Sequence, residues 1–171
     1  MKTLLLLRHA KSSRNDPSLG DFDRPLAPRG VRAASRMGRE IARLAWIPDL
    51  ALVSPARRTA QTWELLTLAV PRQSKVESPR ALYEAPAESL LAELRQIPDE
   101  VESVLLLGHN PGLQDAALRL AGPQSTQSLV SRMKEKFPTA ALARFALEGP
   151  WSGLQPESAR LTDFIRPRDL D

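Results

Sequence analysis

A chain of 171 residues is long enough for one domain with its own hydrophobic core, and with no cysteine it excludes a disulfide framework, a thiolate metal site and a cysteine nucleophile. Its formal charge of +4 suits anionic partners: phosphate esters, phosphoproteins or nucleic acid. The last is disfavoured because aromatics make up only 5% of the residues and the arginines are dispersed, leaving neither a stacking platform nor a basic stripe. No apolar run reaches the length of a membrane span, and the N-terminal leucines lead straight into charge rather than to a cleavage site. The expectation is one soluble cytoplasmic domain over residues 1–171, with no membrane and no nucleic-acid partner.

Lys2 to Ser12 reads KTLLLLRHAKS. Four leucines bounded by polar residues on both sides are the pattern of a short strand buried on both faces of a parallel sheet. Such a strand aims Arg8 and His9 out of its carboxyl end, where open α/β sheets place their ligand crevices. Ser12 to Pro28, rich in Ser, Asn, Asp, Pro and Gly, reads as a loop whose length suggests function rather than mere connection. Val31, Ala34, Met37, Ile41 and Leu44 then recur at helical spacing, predicting a helix from Pro28 or Arg29 to Ala45, with Pro48 beyond its end.

Asp49 to Val53 is a second short apolar run, followed by SPARRTAQT. Ser54 before Pro55 reads as an N-cap with proline at the first helical position, opening a helix to about Ala69. That places Arg57 and Arg58 in a first turn, where the helix dipole disfavours cations. They are either a solvated pair or part of a functional site. Helical phase separates them. The row through Arg58, Thr62, Leu65 and Ala69 is less polar than the row through Arg57, Gln61, Glu64 and Leu68, so Arg58 leans inward and Arg57 is free to pair with Glu64 or Gln61.

Val76 to Tyr83 is ambiguous, an edge strand at most, ending in LYEA. Glu84 lies at the junction with a helix over Pro86 to Ile97, either as an exposed loop carboxylate or as a catalytic acid. Leu90, Leu91 and Leu94 form that helix's inner face, and Pro98 ends it. Ser103 to Leu107 repeats the opening organisation: a buried strand, then GHNPG with His109 at its carboxyl end. A helix through Leu113, Ala117 and Leu120 follows and stops at Gly122. Both histidines of the chain therefore fall where a ligand should bind. Gln124 to Lys136 reads as a polar connector with a short amphipathic helix. Ala140 to Leu147 and Leu161 to Ile165 are strands, and Ile165 to Asp171 is a polar tail.

Two histidines and one or two arginines at one crevice point to phosphoryl chemistry, because guanidinium forks match phosphate oxygens and gain value as charge builds at phosphorus. A histidine can itself be the nucleophile, attacking through one ring nitrogen while a carbonyl holds the other. His9 suits that role, with Arg8 and Arg58 as clamps and His109 adding a hydrogen bond or positive charge. A metal site is the competing reading, but neither HxH nor HExxH spacing is present and Arg8 would sit beside the cation. Neither a metal nor a cofactor is expected.

RHAKS resembles the RHG signature of the histidine phosphatase superfamily, the phosphoglycerate mutase-like group, with alanine in place of glycine. SPARRTAQT is similar to the second motif, whose phosphate-binding arginine falls on Arg58, and GHNPG to the third, which carries the second catalytic histidine, His109. DFDRPLAPRG, LYEAPAESLL, KFPTAA and RPRDL resemble landmarks of the SixA-like branch of phosphohistidine phosphatases, so the match runs through nearly the whole chain. The resemblance implies a three-layer α/β/α sandwich with a mostly parallel central sheet. It also implies His9 as nucleophile, Arg8 and Arg58 as phosphate ligands, and His109 as the group that stabilises the transferring phosphoryl. Asn15 sits where mutase-like members often have a phosphate-contacting asparagine, and Glu84 near where larger members keep a proton-donating acid. A phosphoramidate nitrogen is readily protonated without such an acid, and this short chain leaves few residues for a lid. The expected substrate is therefore phosphohistidine on a protein partner. The alternatives are a phosphomonoesterase acting on a small phosphate ester and a non-enzymatic phosphoprotein-binding module.

Overall fold

Successive leucines of the first strand point to opposite sides of a sheet, and this alternation divides the whole core. The structure, a computed structural model, describes residues 1–170. In strand β1 (Lys2–Arg8), Leu4 and Leu6 enter one apolar cluster and Leu5 and Leu7 another. β2 (Leu50–Val53) and β4 (Ser103–Gly108) divide in the same way. Leu5 and Leu7 meet Met37 and Ile41 of α1 (Pro28–Arg43) and Leu66 of α2 (Arg57–Thr67). Leu4 and Leu6 meet side chains of α3 (Ala87–Arg95), α4 (Gly112–Leu120) and α5 (Gln127–Glu135). Helices thus cover both faces of the sheet, giving the α/β/α sandwich expected.

The sheet has the strand order β3-β2-β4-β1-β5-β6. β3 (Lys75–Glu77), β2, β4 and β1 run parallel, while β5 (Leu142–Leu147) and β6 (Ala159–Ile165) return antiparallel at one edge. The mostly parallel sheet is therefore confirmed, and β3 is a short edge strand that takes up only the start of the ambiguous Val76–Tyr83 stretch, Arg80–Leu82 forming a 3-10 turn instead. In the β1–β4 ladder Arg8 is level with Gly108, and the His9 N–H donates to the Gly108 carbonyl at 3.2 Å. His9 and His109 consequently leave the sheet side by side.

Several element ends differ from expectation, each for a local reason. α1 stops at Arg43 because Ala45 adopts a left-handed conformation, φ 59°, and the Trp46 N–H returns to the Ile41 carbonyl at 3.0 Å. Its buried face is Gly30, Ala34, Met37, Gly38 and Ile41, with Val31 exposed. Gly38 is required by contact, since a Cβ there would lie 2.4 Å from the Leu66 carbonyl oxygen of α2. α2 starts at Arg57 with Ala56 as its cap, rather than at Pro55 with Ser54 as its cap. The Ser54 N–H still belongs to the sheet, donating to Leu107 O at 3.0 Å, and the chain stays extended through Ala56. Among the described residues, no helix is long and apolar enough to cross a membrane.

Candidate active site

β1 and β4 deliver Arg8, His9 and His109 to one end of the sheet, and the first turn of α2 adds Arg58. The two imidazole centroids are 5.4 Å apart. Arg58 Nη2 reaches His109 Nδ1 at 3.2 Å. All three of His9, Arg58 and His109 are buried, at 7%, 3% and 4% exposure, whereas Arg57 is exposed. Helical phase thus placed Arg58 inward and Arg57 outward, as the structure has them. The buried face of α2 runs through Arg58, Thr59, Thr62 and Leu66, and Gln61, thought available to Arg57, instead accepts the Leu26 N–H at 2.8 Å.

Hydrogen-bond chemistry assigns both histidine tautomers. His9 Nδ1 lies 2.7 Å from the Ala10 carbonyl oxygen, which can only accept, so Nδ1 carries the proton and Nε2 keeps its lone pair. A guanidinium can only donate, so His109 Nδ1 accepts from Arg58 and its Nε2–H donates to Ser54 Oγ at 2.7 Å. Both rings are neutral at pH 7. Burial, with the Arg58 and Arg8 charges, pulls His9 down to about 3 against the opposing Ala10 hydrogen bond. Burial and the Arg58 and Arg8 cations take His109 to about 4, against the pull of Asp21.

Arg8 donates through Nη1 to the Phe137 carbonyl at 3.0 Å, and burial together with the Arg58 charge lowers its pKa. Its buried Nε has no hydrogen-bond partner among the described residues, and neither has that of Arg58. Thr62 ties α2 to the loop after His9: its Oγ1 donates to Arg58 O at 2.7 Å and accepts the Ala10 N–H at 3.0 Å.

The long loop supplies a residue that sequence reasoning missed. Asp21, in a 3-10 turn over Asp21–Asp23, accepts from Arg58 Nη1 at its carbonyl, 2.8 Å, and from Nη2 at its carboxylate, 3.1 Å. Arg24 and Tyr83 donate to the same carboxylate. Partial burial opposes its ionisation, but the Tyr83 and Arg24 hydrogen bonds and the Arg58 charge outweigh it and hold the carboxyl well below the usual range. Tyr83 also packs edge-on against His109 and Phe22, at 5.6 and 5.0 Å between centroids. Glu84 stands at the rim, its Oε1 3.9 Å from Arg58 Nη2, in the left-handed region at φ 50°. Partial burial and the neighbouring Asp21 carboxyl raise its pKa against the pull of Arg58 and Arg24. Behind it, Gly112 packs so closely that a Cβ would come within 1.9 Å of Ala85 O. Asn15 is not part of this cluster: it is exposed, its backbone N–H donates to Ser13 Oγ, and its side chain has no hydrogen bond among the described residues.

Among the described residues no group of three or more His, Cys, Asp or Glu side chains is placed to hold a metal ion. The site's own chemistry is an unprotonated imidazole nitrogen ringed by cationic donors, an arrangement for an electrophilic oxyanion.

Comparison with known proteins gives the family. An uncharacterised protein of Mycobacterium leprae is 37% identical over 169 residues, covering 95% of this chain and all of that one. Two solved structures are similar throughout. One, a candidate phosphohistidine phosphatase SixA from Nakamurella multipartitia, has TM-score 0.85 and 28% identity over 97% of this chain and 96% of that one. The other, a candidate SixA from Agrobacterium tumefaciens, has TM-score 0.83 and 30% identity over 97% and 98%. Residues 4–134 match the description of the histidine phosphatase superfamily, branch 1, and the chain belongs to that family.

Proposed function

We propose that this phosphatase removes the phosphoryl group from phosphohistidine on a protein partner, through a covalent intermediate on His9. The observation that carries the reading is the pair of imidazoles 5.4 Å apart, one with a bare Nε2, between two arginines. In the first step His9 Nε2 attacks phosphorus in line. The new P–N bond forms as the substrate's P–N bond breaks, and the departing imidazole leaves with the proton already on its nitrogen or taken from water. In the second step water attacks phosphorus, releasing inorganic phosphate and returning the electron pair to Nε2. Arg8 and Arg58 hold the equatorial oxygens, where negative charge is greatest in the transition state. The anion also raises the proton affinity of His109, whose Nδ1, once protonated, exchanges its contact with Arg58 for a charge-assisted hydrogen bond to the anion.

Similarity to two candidate phosphohistidine phosphatases, each at 28–30% identity, supports the substrate class. The test is an alkaline denaturing quench with a radiolabelled phosphohistidine peptide and a panel of phosphate esters. Label should be trapped on wild type and absent from His9→Ala, and the phosphoramidate should turn over faster than any ester. Label retained by His9→Ala, or ligand binding by wild type with no turnover, overturns the reading.

A second reading, a phosphomonoesterase acting on a small ester, is favoured by one observation. Glu84 has a raised proton affinity and stands near Arg58, as an acid that protonates an alkoxide should. Glu84→Gln separates the two: ester turnover should fall about 100-fold and phosphoramidate turnover should change little.

A further inference from the structure

Beside the active site runs a groove of about 300 Å³ whose lining includes Lys11, Arg29, Arg32, Arg36, Arg166 and Arg168, and no carboxylate among the described residues. Two of these cations have structural work. Arg36 donates to the Leu170 carbonyl, and Arg166 pairs with Asp169 at 2.8 Å. Lys11, Arg29, Arg32 and Arg168 are exposed and have no ion-pair partner among the described residues. Arg29, Arg32 and Arg36 stand on one face of α1, so like charges repel along it, and Arg29 lies in the first turn, where the helix dipole adds to the repulsion. A cluster this unfavourable in the free protein suits an anion from outside.

The groove's position says which anion. Lys11 is two residues from His9, and the opposite wall, Pro138 and Thr139, adjoins Ala140, whose N–H donates to both the Arg8 and His9 carbonyls at 3.1 and 3.0 Å. A polypeptide presenting a phosphorylated side chain to His9 would leave the site along this groove. No aromatic side chain lines it, so it offers nothing for bases to stack on.

We propose that this groove binds an acidic segment flanking the phosphorylated residue of a protein substrate, and so selects phosphoproteins whose phosphosite lies beside Asp or Glu. The substrate part of this inference rests on the reading of the site as a protein phosphatase; the binding part does not.

Two measurements keep these apart. The first is binding of an unphosphorylated, fluorescently labelled Asp- and Glu-rich peptide, to wild type and to the Arg29→Glu, Arg32→Glu, Arg168→Glu triple variant. The second is kcat/KM on phosphohistidine peptides with acidic or neutral flanks, with p-nitrophenyl phosphate as a small substrate to report that the variant remains folded and active. Acidic flanks should raise wild-type kcat/KM about tenfold, an advantage lost in the triple variant and in high salt, while p-nitrophenyl phosphate turnover is unchanged. Equal peptide binding by wild type and variant, no gain from acidic flanks, or stronger competition from single-stranded DNA than from the acidic peptide overturns the proposal. If acidic peptide binds in the groove but no phosphohistidine peptide is turned over, the groove stands and the protein-phosphatase reading falls.

Discussion

Arg58 draws its importance from burial. It lies between His109 and Asp21 and donates to both, whereas Arg57, one position earlier in the same helical turn, faces solvent. Arg58→Ala should therefore cost about 100- to 1000-fold in turnover, the scale for removing a preorganised donor to a charged transition state. Arg57→Ala should change it less than about twofold, as steady-state kinetics will show. The inward row of apolar and small side chains made that difference readable in the sequence. The partners of Arg58 were not. Asp21 reaches it only because the loop after β1 folds back, with Ser13 N–H on Pro25 O at 2.7 Å and Ala27 N–H on Lys11 O at 2.9 Å, and such contacts leave no periodic trace. The one available signal was the length of that loop. Ser54 was misread for a related reason: before a proline its hydroxyl looks like a helix cap, and only the neighbouring strand shows that it serves His109.

At the scale of elements, the site is held by joints between backbones. Thr62 links α2 to the loop after His9 through two hydrogen bonds on one hydroxyl. Thr62→Val keeps the shape but leaves the Ala10 N–H buried without an acceptor, at a cost of about 1–3 kcal/mol measurable by urea unfolding. Because that N–H belongs to the residue whose carbonyl orients His9, turnover should fall more than the stability loss alone implies. Gly112 is a second joint, between the start of α4 and the loop carrying Tyr83 and Glu84. Gly112→Ala should force that loop outward, lowering stability by about 1–3 kcal/mol. If Glu84 acts as an acid, the same change should depress ester turnover more than phosphoramidate turnover. The long elements themselves were legible, because leucine runs and helical spacing record burial directly. Their ends were less so. Ala45 in a left-handed conformation is a stop signal that an alanine does not advertise.

The whole molecule carries two imidazoles that resist protonation, and its stability should register this. Both have folded pKa values below the ordinary 6.5, at about 3 and about 4, so below pH 6.5 the unfolded chain takes up protons that the folded protein refuses. Unfolding free energy should accordingly fall as pH drops from about 6.5 toward 4, by on the order of a few kcal/mol, and be insensitive to these groups above about pH 7.5. Urea titrations across that range will measure it, and His109→Gln should remove part of the slope. Inorganic phosphate should raise the melting temperature of the wild type and have little effect on Arg58→Ala.

The parallel pairing of β1 with β4 has a kinetic corollary. Its ladder sets Arg8 level with Gly108, positions far apart in sequence that carry His9 and His109 just beyond them, so the cleft cannot exist until that remote pairing has closed. In stopped-flow refolding, helical ellipticity should recover first and hydrolysis last, making enzyme activity a reporter of the moment when two strands remote in sequence lock into register.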